Sequence, residues 1–483
     1  MPIILPANSA ISGGFNVSNS VMFEQADDPY FQKTPTGDGN QRTFTFSVWL
    51  KMDLHDGGDT HKIFDTGSST NYFTIYVTEE PFLRIIGRVS SSNVLDLTPT
   101  QSFRDPTAWF HLYIAIDTTQ GTASNRAKVY INGSQVTSFA TATYPNQNTD
   151  FEIQNASYPF RLGADKGLGN EHYDGYMAEY MFVDGAAQDI GDFGEFDEDS
   201  PAIWKPKNIS AINVNPADDN GNGFYLDFKD SSNLGNDVGV NAGTDFSENN
   251  IVATDQSTDT CTNNGSTLNP LDNPYPGQKA TFSQGNLIGQ STESGFLSGA
   301  STIGVSTGKW YAEFKLTAGN MGLSVMGVIT DPISALGTTA PHDSTKFYGA
   351  RGNGSKYQPG GSETSSWAGS WSTNDIISLA LDVDNNYLYV AKNGQYADGS
   401  GNYDEAFTGS PAAITIASGQ TYFFMGGSIS TGSGVFLTMA SNFGFPSFAI
   451  SSGNADGNGY GNFEFAVPAN YYALNTKNLA EYG

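Results

Sequence analysis

Cysteine is all but missing: Cys261 is the only one in 483 residues. A single thiol permits no internal disulfide, no CxxC metal site and no disulfide-stapled scaffold, so stability has to come from burial. Positive charge is scarce as well. The chain carries 22 Lys and Arg against 50 Asp and Glu, a net charge of −28, with a pI near 4.2. Such a chain repels phosphate backbones and anionic lipid, and no Lys/Arg cluster offsets this, which argues against nucleic-acid partners. Long apolar runs are absent too. No stretch approaches the roughly 18 residues of a membrane span, so a soluble chain without membrane insertion is expected. The first residues, Met1-Pro2-Ile3-Ile4-Leu5-Pro6-Ala7-Asn8, have neither the basic region nor the long apolar core of a signal peptide. Helical periodicity is missing over any window of about 12 residues; only Asn475–Glu481 offers a turn or two.

Glycine and aromatics are plentiful. There are 55 Gly, 32 Phe and 24 Tyr, enough apolar bulk to exclude disorder, in a turn-rich balance that fits secreted or virion-surface β proteins. The length exceeds what one hydrophobic core organises, so two or three cores are expected.

Alternation with a period of two dominates. Phe44, Phe46, Val48 and Leu50 share one face against Thr45, Ser47 and Trp49. Leu112, Ile114 and Ile116 repeat the pattern up to Asp117, and Lys128–Ile131 runs into Asn132-Gly133. Asn-Gly between β runs signals a hairpin, because both turn positions need positive φ. Phe160–Gly163 and Tyr173–Phe182 close a first domain, 1–190. Seven acids and no Lys or Arg lie between Asp184 and Asp199, which opens a loop-rich acidic connector over 191–284 with a strand at Phe224–Phe228. A second block, 285–445, begins at Lys309–Leu316, with Trp310, Ala312, Phe314 and Leu316 on one face. Ile377, Leu379, Leu381 and Val383 alternate next, and Tyr387–Lys392 leads to Asn393-Gly394. A C-terminal extension, 446–483, follows. The fold expected is all-β: two antiparallel β-sandwich (jelly-roll) domains joined by the bridge, with Trp49, Trp109 and Trp310 in or near the cores.

The runs Thr45–Lys51, Trp109–Leu112, Val129–Gly133 and Tyr173–Glu179 resemble the laminin-G/concanavalin-type jelly roll over about 14–187. Gly308–Glu313, Ile377–Asp382, Val390–Gly394 and Ser441–Gly444 are similar to the SPRY sandwich over about 285–445. The bridge segment Gly223–Phe228 and the ending Tyr471–Leu479 resemble segments that join such domains in structural proteins of tailed phages, notably marine ones. These resemblances imply recognition scaffolds, on which glycans, peptides or neighbouring proteins dock, although some jelly-roll relatives are glycosidases. They imply a non-catalytic protein of the virion surface, tail or capsid exterior, made in the host cytoplasm. A tail fibre or receptor-binding adhesin is the leading reading, with other virion proteins and host cell-surface polysaccharide as partners and a homo-oligomer as its state. Capsid decoration, a head fibre or a spacer is one alternative; a laminarinase-like glycosidase is another.

Catalysis has weak candidates. A retaining glucanase needs two carboxylates about 5–5.5 Å apart, typically from E-x-D-x-E on one strand. The nearest string, Glu195-Phe196-Asp197-Glu198-Asp199, lacks the final Glu and lies in the connector, where a solvated loop is expected. Gly304-Val305-Ser306-Thr307-Gly308 fits G-x-S-x-G, but a nucleophile elbow needs a helix after the serine, and here a strand follows. The five histidines form no HExxH, and His55 and His61, near Asp53, Asp56 and Asp59, read as a polar loop rather than a metal site. No cofactor is required by these patterns; calcium is the one ion they admit. Asp218, Asn220 and Asn222 start a D-x-N-x-N-G loop whose twelfth position is Lys229 rather than Glu, and Asp382 and Asp384 form a similar hairpin cluster. For glycans the candidate platform is Tyr348, Arg351, Tyr357, Trp367 and Trp371 among glycines and serines. Flat rings suit the CH faces of sugars and an arginine suits an acidic group, whereas core packing is the competing role for the rings.

Overall fold

The computed structural model of the chain describes residues 14–483 apart from 54–59, 79–81, 152, 154, 170, 217–220, 272–279, 292–297, 333–341, 343, 409–410 and 430–435. The described residues divide into two compact units, 14–264 and 265–483, each an antiparallel sandwich. The all-β expectation therefore holds. Among the described residues no helix is long and apolar enough to cross a membrane.

In the first unit one sheet centres on Thr43–Met52, paired with Phe110–Asp117 on one side and Gly175–Asp184 on the other. The opposing sheet runs through His61–Gly67, Tyr72–Val77 and Leu83–Val89. Their facing sides hold the alternating residues read from the sequence: Phe44, Phe46, Val48 and Leu50 meet Ile75, Ile85 and Leu97 in one core. Burying each such side chain contributes roughly 1.5–3 kcal/mol. Both Asn-Gly turns take the expected left-handed backbone, with φ of 47° and 73° at Asn132-Gly133 and 50° and 82° at Asn393-Gly394.

The segment expected as a bridge is not one body. Its part up to 264 packs across the outer face of the first sheet, which explains why Trp49, on that outer face, is only 2% exposed. Trp204 and Cys261 join Trp49, Trp109 and Tyr176 in one cluster, and Phe193, Ile209, Val214 and Tyr225 pack with Tyr113, Met181 and Val183 in another. The acidity of this segment has a local cause. Lys33 meets Asp237 at 2.8 Å and Lys51 meets Asp259 at 2.8 Å, all four side chains at most 2% exposed. A β-bulge between Ala178 and Met181 turns Glu179, at φ 50°, toward the hydroxyl of Tyr225.

The second unit packs a ten-stranded sheet against a six-stranded one. Lys309–Gly319 lies between Leu437–Asn442 and Ile376–Asp382, and Trp310, Ala312, Phe314 and Leu316 face the core. The C-terminal extension belongs to this sandwich. Phe463, Tyr471 and Ala473 cover the outer side chains Tyr311, Ala380 and Ala391, and Tyr472-Ala473 pairs in parallel with Trp310-Tyr311. The helix Thr476–Tyr482 ends the chain, capped by the Asn475 side chain, which accepts from the Asn478 amide at 2.9 Å.

Both sandwiches bury carboxyl groups, with a consequence for pH. Burial pushes up the carboxyls of Asp65, to about 6, and Glu179, to about 7; it does the same for Asp174, beside Asp53 and Glu24, and for Glu313. A carboxyl raised on folding favours the native state when protonated, so this stability is present below the ordinary range near 4 and is lost as pH climbs through about 6–7. His111 works the other way: burial lowers it to about 3, so its contribution is lost as pH falls below about 6.5. Four carboxyls outweigh one imidazole, and the self-repulsion of a −28 chain eases in the same direction. Calorimetry is expected to give a melting temperature on the order of 5 °C higher at pH 5.5 than at pH 8; an equal or lower value at pH 5.5 would count against these groups being buried.

Candidate functional site

Because Leu112, Ile114 and Ile116 face the core, Tyr113, Ala115 and Asp117 stand on the outer face of the same strand. Across the ladder, Tyr130 is opposite Tyr113 and Lys128 is opposite Ala115. Ala115 is the small member of this row, and the space above it is the floor of a pocket of about 280 Å³. The first residues of the covering segment form one wall. Thr45 Oγ1 donates to the Ala186 carbonyl at 2.9 Å and accepts from the Gln188 amide at 3.0 Å, and the Tyr113 hydroxyl donates to the Gln188 carbonyl. The next residue, Asp189, caps the short turn Ile190–Asp192, its Oδ1 accepting from the Gly191 amide at 2.7 Å. Gln120 and Asn125, from the loop between the two strands, complete the rim.

The lining mixes one aromatic wall with fixed polar groups. Tyr113 and Tyr130 meet edge to face, 5.5 Å between centroids. Partial burial pushes the Asp117 carboxyl up, but hydrogen bonds from Thr119 and Gln120, with the charge of Lys128, outweigh it and hold the group below the usual carboxylate range. Burial raises the phenols of both tyrosines, and the nearby Asp189 adds to it, so both stay neutral. Small-molecule sites begin near 300 Å³. Tyr113 is itself buried, 1% exposed, so the ring open to a ligand is that of the half-buried Tyr130; the pocket suits one compact polar ligand, with acceptors and donors around its edge.

The sequence-derived platform lies elsewhere and is enclosed, which corrects that expectation. Tyr348, Tyr357, Trp367 and Trp371 are 9, 2, 3 and 4% exposed; Tyr348 and both tryptophans are part of the second core. Trp371 Nε1 donates to the Tyr403 hydroxyl at 3.0 Å. Arg351 is spent inside the fold, donating to the Gly322 carbonyl at 2.8 Å and to the Tyr357 hydroxyl at 3.3 Å. Rings packed on both sides offer no face to a sugar, so the core role prevails.

Of the calcium candidates, Asp218 and Asn220 lie outside the described residues. Asn222 is fully buried, its Oδ1 accepting from Thr36 N at 3.2 Å and its Nδ2 donating to Gly37 O at 2.9 Å. Asp382 holds the Asn385 amide at 3.0 Å, the Asn385 side chain at 2.9 Å and Lys309 at 2.8 Å. Asp384 accepts from Gly308 N at 2.8 Å. An ammonium on Asp382 replaces the cation that the spacing suggested, which corrects the hairpin-cluster expectation. Among the described residues no three His, Cys, Asp or Glu are grouped to hold a metal. His55, Asp56 and Asp59 lie outside them.

Glu195 and Phe196 are exposed on the short strand Gly194–Phe196, and Asp197 is buried, accepting from the Asp199 and Ser200 amides and meeting Lys205 at 3.1 Å, so the string is a strand end and turn rather than the solvated loop expected. A strand does follow Gly308. One serine–histidine pair went unnoticed in the sequence: Ser47 Oγ is 2.8 Å from His111 Nε2. The indole of Trp204 donates to His111 Nδ1 at 3.1 Å, so the imidazole proton sits on Nε2 and points at Ser47. The pair is buried and the histidine cannot accept the serine proton.

Residues 26–189 match the profile of a family described as the concanavalin A-like lectin/glucanases superfamily, Laminin_G_3. A search of curated proteins finds no match. Solved structures similar to parts of the chain include the SPRY domain of human HERC1, 17% identical over 36% of this chain and 96% of that domain, TM-score 0.27. A heptameric SAP-like pentraxin from Limulus polyphemus is 16% identical over 36% of this chain and 80% of its own, TM-score 0.27. Stonustoxin is 17% identical over 37% of this chain and 27% of its own, TM-score 0.26. The segment that matches this profile, 26–189, builds nearly all of the pocket.

Proposed function

We propose that the chain is a non-catalytic carbohydrate-binding protein, with the pocket over Ala115 holding a single sugar residue of a glycan. The observation that carries this reading is a pocket of about 280 Å³, with the half-buried ring of Tyr130 and a polar rim, in the segment that matches the concanavalin A-like lectin/glucanase profile. Covering the rest of the outer sheet face leaves this corner open. The reading extends to a virion-surface adhesin of a tailed phage, in the tail fibre, that contacts host surface polysaccharide. Its support is the likeness of Gly223–Phe228 and Tyr471–Leu479 to phage structural proteins, together with two recognition-type sandwiches on one chain.

A glycan array read beside reducing-sugar release tests the first part. Binding without release is expected; release would revive the glycosidase, and neither would leave a spacer. Ala115→Leu fills the floor without touching a hydrogen-bonding group. It is expected to weaken glycan binding at least tenfold while moving the melting temperature by no more than about 2 °C. Unchanged affinity with an unchanged melting temperature would remove the pocket from the account.

A further inference from the structure

The charges around the pocket are unevenly committed, and that asymmetry bears on which sugars enter it. This step rests on the pocket being a sugar site. Asp117 is satisfied by its own loop, accepting from the Thr119 amide at 3.0 Å, the Thr119 hydroxyl at 2.5 Å and the Gln120 side chain. Lys128 is the single cation of the lining, and its charge helps to hold Asp117 ionised. Asp189 differs. Its Oδ1 accepts from Gly191 N at 2.7 Å, while among the described residues none donates to its Oδ2, and the group is exposed beside the rings of Tyr113 and Tyr130. Asp192 adds a second negative charge close by, felt at Tyr113. A ligand against the half-buried ring of Tyr130 therefore meets an open carboxylate oxygen, with the carboxylates Asp117 and Asp189 and the nearby Asp192 outnumbering the one cation of the lining, Lys128.

We propose that Asp189 is a specificity-determining residue, making the pocket accept neutral and amino-substituted sugars and reject sugars that carry a carboxylate. Its open oxygen accepts from a sugar hydroxyl or an ammonium group. The same oxygen repels a uronate or sialate, and discrimination of this kind comes as much from the repulsive partner as from the attractive one. The chain's overall charge of −28 acts in the same sense at longer range.

Titration of the full chain with glucose, glucosamine and glucuronate, and with their galacto counterparts, tests this at low and high salt. The neutral and amino sugars are expected to bind at least tenfold more tightly than the uronate of the same series. The gap should shrink as salt screens the charges. In Asp189→Asn the uronate is expected to gain severalfold relative to the neutral sugar, because with Oδ1 kept on the Gly191 amide the open position becomes an NH2 that donates to a carboxylate and no longer repels it. Uronates that bind as tightly as neutral sugars, or a gap that persists unchanged in Asp189→Asn, would overturn the role of Asp189 and leave the sugar site standing. If no sugar of either series bound, the sugar site itself would fall, and this inference with it.

Discussion

Asp259→Ala is expected to destabilise the first sandwich by about 3–5 kcal/mol. Asp259 Oδ2 receives Lys51 Nζ at 2.8 Å, and Oδ1 receives the indole nitrogen of Trp109 at 2.9 Å. Removing the carboxylate takes the closest counter-charge from an ammonium whose side chain is 2% exposed, leaving the neutral Asn264 Oδ1 at 2.9 Å among its acceptors, and takes the acceptor from the Trp109 indole N–H. An unpaired buried charge costs far more than the pair contributes, because desolvation is no longer offset by the partner. The same reasoning predicts partial recovery in the double variant Lys51→Met, Asp259→Leu, which removes both charges of the pair. Thermal unfolding should show the single variant melting on the order of 10 °C lower. A loss below about 1 kcal/mol would mean that the covering segment is not held by this pair.

Glu313→Ala carries the second large effect, in the other sandwich. Its carboxylate stands on the outer face of strand Lys309–Gly319 and receives four donors. The backbone amides of Glu464 and Phe465 approach at 2.9 Å each, the Tyr311 hydroxyl at 3.0 Å and the Asn442 amide at 3.3 Å. Each buried donor left without an acceptor costs about 1–3 kcal/mol, so a loss of at least about 4 kcal/mol is expected. Glu313→Gln should be nearly as damaging, since its NH2 group would face N–H donors. Hydrogen exchange supplies a local readout: the amides of Glu464 and Phe465 should lose protection in either variant before the core strands do. Normal protection of these amides in Glu313→Ala would show that the carboxylate does not pin the extension.

The two carboxylates play matching parts, and neither part is legible in a single strand. Alternation displays Phe44, Phe46, Val48 and Leu50 as an inner face, and Asn132-Gly133 as a turn, because those signals are local. Lys51 sits on the outer face of the same pattern and finds its partner 208 positions away; nothing near either residue announces the other. For that reason an acidic stretch reads as a solvated bridge, although two of its acids are buried against lysines. The misplaced glycan platform has the opposite cause. Glycine and serine around Trp367 and Trp371 signal loops, and loops suggest exposed rings. Here the loop folds inward: the Trp367 amide donates to Gly354 O at 3.0 Å and the Trp371 amide to Gly352 O at 2.8 Å, which draws both rings into the core.

The pocket lies between these cases. That Tyr113, Ala115 and Asp117 share an outer face follows from the alternation, and the small side chain among larger ones marks a depression. Its other wall is built by Ala186–Asp189, whose anchor on Thr45 spans more than 140 positions. Half of the site is therefore written in one strand and half in tertiary structure.

Hydrogen–deuterium exchange of the full chain, with and without the glycan that binds best on the array, tests the central claim most directly. Protection confined to the loops 118–126 and 186–191 is the result the pocket predicts. Protection on the outer face of the opposing sheet, over 72–98, or in the second sandwich would contradict it.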